Sequence, residues 1–181
     1  MDIKTALQRL YKFDWQGIYV YTKGNLRRVF FDDSADAFKQ SLPRLIKFGV
    51  LERACRGVYI FALSRHKGGY TIEYVAKSLR RSEYNYISLE SALSEYGVIS
   101  QIPIDRLTVM TTGRKGTFKT PYGVIEFTHT ERSDIDILNN TILCDRPLRI
   151  ARESAAIRDL KRVGRNTHMI CNELDSMTLS I

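Results

Sequence analysis

Cysteine is scarce in this sequence: Cys55, Cys144 and Cys171 are the three in 181 residues. An odd number, widely separated and outside any paired spacing, excludes a disulfide framework and a zinc ribbon, so reduced thiols are expected. His168 and Cys171 form the one close His/Cys pair. A metal site there would need two further ligands from Cys55, Cys144, His66 and His129, and no metal or cofactor is expected. Long apolar runs are also missing. No stretch approaches the roughly 18 residues of a membrane span, no basic amphipathic helix carries a large apolar face, and Met1 to Leu10 lacks the apolar core of a signal peptide. Partners other than membranes and a cytoplasmic location are the expectation.

Catalytic templates are lacking too. The sequence holds no phosphate-binding glycine motif, nucleophile elbow, zinc-protease His-Glu motif or metal-binding loop. Gly113-Arg114-Lys115-Gly116 lies between two apparent strands with no helix after it, which reads as a hairpin turn and not as a phosphate loop. Glu126, Glu131, Asp134 and Asp136 could be drawn together as a nuclease-like carboxylate cluster, but acidic residues near a strand end ordinarily serve solvation. A non-enzymatic protein is expected.

What is present is a globular composition, 44% hydrophobic and 27% charged, with a formal net charge of +8. Such an excess favours polyanionic partners. It is unevenly spread. Residues 1–66 contain 12 Lys/Arg and 6 Asp/Glu, leaving 16 and 14 for the remainder, so +6 of the +8 sits in about a third of the chain.

Ile3, Ala6, Leu7 and Leu10 recur at helical spacing behind the cap residue Asp2, predicting a first helix to about Tyr11 or Lys12, with Phe13 and Trp15 packed beneath it. Gly17 to Tyr21 reads as a brief strand. Thr22 to Asn25 reads as the turn before a second helix that buries Leu26, Val29 and Phe30. From the cap Ser34, the positions Ala37, Phe38, Leu42, Leu45 and Ile46 predict a third helix, which Pro43 should kink or restart at Ser41, and which Gly49 closes. Two strands, Val50 to Arg53 and Val58 to Phe61, flank the tight basic turn Ala54 to Gly57. Three helices followed by a hairpin is the order of a winged helix-turn-helix.

Ser64 to Gly69, polar with adjacent glycines, reads as a linker. The expected domains are therefore residues 1–66, DNA-binding, and residues 67–181, a mixed α/β domain; the class is α+β. In the second domain Ile72, Val75, Ala76 and Leu79 predict a helix. Ser88 heads another through Tyr96, although Ser91 stands where a capping box would place Glu or Gln. Segments 106–112, 117–120 and 124–130 predict an antiparallel meander, and a last helix spans Arg152 to Val163. The tail after Gly164 has little periodicity.

The third helix presents Lys39, Gln40, Arg44 and Lys47 around its apolar stripe, and the wing turn presents Arg53 and Arg56. Arg and Gln can pair bidentately with guanine and adenine edges, while Lys neutralises phosphate, so this set fits duplex DNA read in the major groove.

Four stretches carry a family resemblance: Leu45 to Leu51 with Arg56-Gly57-Val58-Tyr59; Tyr86 to Ile99, including Ser88-Leu89-Glu90-Ser91-Ala92-Leu93; Val109 to Arg114 with Phe118 to Gly123; and Ile150 to Leu160. Their order and spacing are similar to the AbiEi family of type IV antitoxins. That resemblance implies an autoregulatory repressor that binds operator DNA at inverted repeats and counteracts a co-encoded nucleotidyltransferase-like toxin. The cationic hairpin residues Arg114, Lys115 and Lys119 are the candidate toxin contact. Two alternatives stand beside it: a protein-interaction module that masks a toxin without specific DNA binding, and a metal-dependent nuclease using Glu126, Asp134 and Asp136.

Overall fold

A computed structural model describes residues 2–99, 105–164 and 166–169. Among these residues are seven α-helices and two sheets, one three-stranded and antiparallel, the other six-stranded and mixed. The chain is thus of mixed α and β class. It divides into two compact units: residues 1–81 with 118–122, and residues 82–117 with 123–181.

The first unit opens with α1 (Ile3–Asp14), whose N-terminus is capped by Asp2 Oδ1 accepting from the Thr5 amide at 2.9 Å. Its inner face buries Ala6 and Leu10. After β1 (Val20–Thr22) comes α2 (Lys23–Val29), started by a reciprocal box in which Thr22 Oγ1 accepts from the Asn25 amide and Asn25 Oδ1 accepts from the Thr22 amide, both at 3.1 Å. Two orphan donors are satisfied at once. The segment expected as a turn is therefore mostly helix.

Helix α3 (Ala35–Lys47) begins at Ser34, whose hydroxyl accepts from the Ala37 amide. It passes through Pro43 without restarting. Proline forfeits one backbone bond to Lys39, and both residues lie on the exposed face, where water can serve the stranded carbonyl. Phe38, Leu42 and Leu45 are buried on the other face. β2 (Leu51–Cys55) and β3 (Val58–Phe61) follow, and the sheet order is β1-β3-β2. All four β3 side chains are buried, as suits a central strand.

Helix α4 (Thr71–Leu79) belongs to this unit, packing on β1 and β3, so the division falls after Arg81 and not at residues 64–69. The supposed linker is tied down. Ser64 donates its hydroxyl to the buried carboxylate of Asp14, the His66 amide donates back to Ser64 Oγ, and the Gly68 amide donates to Thr71 Oγ1. Trp15 does not pack under α1. It is 71% exposed, with the Arg65 guanidinium 4.1 Å over its ring. The segment Phe118–Tyr122 joins the same unit, where Tyr122 donates to Glu52 Oε2 at 2.9 Å and Arg80 lies over Phe118.

The second unit contains β4 (Asn85–Ile87), α5 (Leu89–Glu95), β5 (Arg106–Thr111), β7 (Gly123–His129), α6 (Asp134–Asn139), β8 (Thr141–Ile142), β9 (Arg149–Ala151) and α7 (Glu153–Val163), while β6 (Gly116–Thr120) begins within it. The six strands run in the order β6-β7-β5-β4-β9-β8. This is not the expected meander. β5 pairs with β7 in parallel, from Arg106↔Val124 to Thr111↔His129, so β7 lies between β5 and β6. Gly113 to Gly116 consequently bridges strands that are not neighbours, and His129 Nδ1 pins it through the Gly113 carbonyl at 2.8 Å. The tight two-residue turn is Pro121-Tyr122 instead.

Candidate nucleic-acid interface

All four candidate side chains of α3, Lys39, Gln40, Arg44 and Lys47, are exposed, as are Arg53 and Arg56 of the hairpin. Gln40, Arg44 and Lys47 follow one another at i, i+4, i+7, which aligns them along one stripe of the helix opposite Phe38, Leu42 and Leu45. The apolar face anchors α3 against β2 and the polar stripe is left to solvent.

The hairpin is shaped locally. Cys55 stands opposite Val58, so Arg56-Gly57 is a two-residue turn, and Gly57 has a φ of +84°, a conformation that side-chain-bearing residues rarely adopt. The register shifts between Arg53 and Cys55, where a bulge re-aims the strand. Burial pushes the Cys55 thiol up, with the nearby Arg53 charge pulling the other way. The Gly57 carbonyl accepts from the Lys23 amide at 3.0 Å, which fixes the turn to the start of α2.

Sequence reasoning missed the contribution of α2. Lys23, Gly24, Arg27, Asp36 and Lys39 line a hollow where α2 and α3 begin, and Arg28 is exposed nearby in sequence. Arg27 is half-buried, donating to the Phe30 carbonyl at 3.1 Å with its guanidinium over Phe38. Thr22 and Asn25, three residues apart, were the signal that a helix begins at Lys23.

In the second unit, Arg114 and Lys115 are exposed and share an open hollow with Glu83, Thr112 and His129. Lys119 is exposed as well, but its segment groups with the first unit, so the three cations are not gathered on one unit. The acidic residues are not gathered either. Glu126 pairs with Arg106 at 2.6 Å, Asp136 accepts from Arg132 at 2.9 Å and from Arg158 at 3.5 Å, and Asp134 occupies the first turn of α6. Glu131 is exposed, and no group of three or more His, Cys, Asp or Glu among the described residues could hold a metal ion. Cys55 and Cys144 are free thiols; Cys171 lies outside the described residues. No described helix is long and apolar enough to cross a membrane.

The Ser88 to Ser91 segment serves the interior. Ser88 makes no cap bond and donates instead to Asp159 Oδ2 at 2.9 Å, while Glu90, nearly buried, accepts from Asn166 at 2.8 Å. Ser91 Oγ accepts from the Thr108 amide and donates to the Arg106 carbonyl. Leu89 turns the corner between β4 and α5 at a φ of +57°, a strained conformation for leucine held in place by complete burial.

No family model matches this chain, and no curated protein does. Among solved structures, the fold is similar to that of the RV2827C protein from Mycobacterium tuberculosis, with a TM-score of 0.50 and 13% identity over 75% of this chain and 48% of that one. The chain thus spans about half the length of that protein, and the likeness is one of fold alone.

Proposed function

We propose that this protein is a cytoplasmic, non-enzymatic DNA-binding regulator: an antitoxin whose first unit is a winged helix-turn-helix that represses its own operon. The observation that carries the reading is the joint exposure of Lys39, Gln40, Arg44 and Lys47 on α3 with Arg53 and Arg56 on the β2–β3 hairpin, in a region that holds +6 of the formal net charge of +8. In this reading α3 enters the major groove, where Gln40 and Arg44 read base edges, and the hairpin arginines lie on the phosphate backbone. The hydrogen bond from the Lys23 amide to the Gly57 carbonyl ties the hairpin turn to the start of α2. Operator DNA with inverted repeats is the partner, and no cofactor is called for.

The antitoxin half rests on the likeness of the Tyr86 to Ile99 segment, of Val109 to Arg114 with Phe118 to Gly123, and of Ile150 to Leu160 to the AbiEi family. It assigns the second unit to counteracting a co-encoded nucleotidyltransferase-like toxin, with Arg114 and Lys115 as the candidate contact. A salt-titrated gel shift on the gene's own upstream DNA, against scrambled DNA of equal length, tests the repressor half. Retention of the native sequence at moderate salt supports it; equal, weak binding to both DNAs overturns it. Growth rescue upon co-expression with the toxin encoded beside it tests the other half, and rescue that needs no part of residues 82–181 would remove the second unit from that role.

A further inference from the structure

A second hollow in the first unit, of about 250 Å³, lies between β1, the start of α2 and α4. Its walls include Ile18 and Val20, its rim carries Tyr74, Lys77 and Arg81, and Asn25 borders it from α2. Among the described residues, no carboxylate lines it. Tyr74 is preset: its ring meets that of Tyr19 edge-on at 5.4 Å between centroids, and Tyr19 is fixed in turn by a 3.1 Å hydrogen bond between its hydroxyl and Thr71. Asn25 spends its carbonyl oxygen on the Thr22 amide and hydroxyl, which leaves its amide nitrogen to donate elsewhere. Lys77 and Arg81 are both exposed, and neither takes part in an ion pair among the described residues.

Apolar walls, one pre-oriented ring, two unpaired cations and a spare amide donor converge on a space slightly below the roughly 300 Å³ where drug-sized sites begin. We infer that this hollow binds a small aromatic anion, its ring against Tyr74 and the apolar wall and its carboxylate or phosphate between Lys77, Arg81 and the Asn25 amide. The chemistry follows from the parts. An anion without a ring would leave the apolar wall wet, and a neutral ring would leave both cations unanswered. The site stands apart from the exposed stripe of α3, which packs at the β2 edge of the sheet while α4 packs on β1 and β3, so it goes beyond the DNA-binding reading and does not depend on it.

Calorimetric titration of the full chain with phenyl phosphate and with benzoate, using inorganic phosphate and benzamide as the two half-ligands, tests the inference. Saturable binding of phenyl phosphate or benzoate, at least tenfold tighter than either half, is expected, and which of the two binds better tells phosphate from carboxylate sources. Lys77→Ala and Arg81→Ala should each weaken it about tenfold, the scale of one charge-assisted hydrogen bond. Asn25→Asp keeps the cap oxygen but presents a carboxylate to the ligand, so it should abolish binding while the circular dichroism spectrum stays that of the parent. Equal binding of inorganic phosphate and phenyl phosphate, or affinity unchanged in both cation variants, overturns the inference. So does loss of DNA retention in the Lys77→Ala/Arg81→Ala double variant without binding of either aromatic probe, which would assign the cations to a nucleic-acid backbone.

Discussion

Ser88 donates its hydroxyl to the carboxylate of Asp159, 2.9 Å away and 71 residues later in the chain. The same carboxylate, on a residue only 1% exposed, also accepts from Tyr86 at 3.1 Å and from Arg132 through Nε and Nη2 at 3.2 and 3.0 Å. Four donors on one buried acid make it the hub of the second unit. Asp159→Ala should cost about 3 to 5 kcal/mol, because it strands a partly buried guanidinium and two hydroxyls together. Ser88→Ala should cost about 1 kcal/mol. Denaturant unfolding distinguishes them, and near-equal losses would show that Arg132 finds other partners.

Alkaline pH should weaken the fold. Burial raises the Tyr21, Tyr86 and Tyr122 phenols far above their ordinary value, helped at Tyr86 by the Asp159 charge and hydrogen bond and at Tyr122 by Glu52. A group whose folded-state value is raised leaves stability intact below its unfolded value, near 10 for tyrosine, and removes it as pH climbs toward the folded value. Urea midpoints should therefore hold steady from neutrality to about pH 9 and fall steeply above about pH 10. Tyr122→Phe should flatten part of that fall, and an unaltered profile would exclude its contribution.

The hairpin turn should be intolerant of side chains for conformational reasons alone. A Cβ at Gly57 would meet no atom within 4 Å, yet φ there is +84°. Gly57→Ala should therefore destabilise by about 1 to 2 kcal/mol, whereas Gly68→Ala, with open space and no positive φ, should stay within about 0.5 kcal/mol of the parent. Thermal melts of the two variants make the comparison.

Salt titration separates the roles of the basic residues. With about six phosphates neutralised, the logarithmic salt slope should approach roughly −5, and Arg56→Ala should lower its magnitude by about one across all sequences. Arg44→Ala should cost about 1 to 3 kcal/mol on the operator and far less on scrambled DNA. Equal losses on both would make Arg44 a backbone contact.

Trp15 is the chain's sole tryptophan. Its exposure predicts red-shifted emission readily quenched by acrylamide in the native protein, and Trp15→Ala should cost under about 1 kcal/mol. A blue, protected emission would place the ring in a contact that the isolated chain lacks.

The helices were legible in the sequence because their signals are local. Asp2 and Ser34 cap where expected, Leu26, Val29 and Phe30 are buried together, and Gly164 closes α7 in the left-handed conformation. So were the exposed cations of α3 and the hairpin, since periodicity alone says which face of a helix is left to water. What escaped depended on partners far along the chain. Gly68-Gly69 resembles a linker by composition, but the contact of Ser64 with Asp14 crosses 50 residues. Trp15 looked like a core residue by type, and only the position of Arg65 explains its place at the surface. Richness in Thr, Val, Ile, Phe and Met marked β5, β6 and β7 as strands, but that composition suits parallel and antiparallel pairs alike, so the insertion of β7 beside β5 left no local trace. The hollow under Tyr74 joins residues from three elements and has no linear signature.

The place of β4 in its sheet bears on when the protein can finish folding. Its neighbours are β5, some twenty residues downstream, and β9, whose partners Arg149 and Ile150 lie near the end of the described chain. Strands β1, β2 and β3 complete their own sheet within the first 61 residues. Domains fold in the order in which the ribosome releases them, and pairings distant in sequence come last. A nascent chain halted before Ile150 would carry a complete first sheet and a second one whose β4 still lacks its β9 neighbour, and the first sheet would exist for a time before the other is finished.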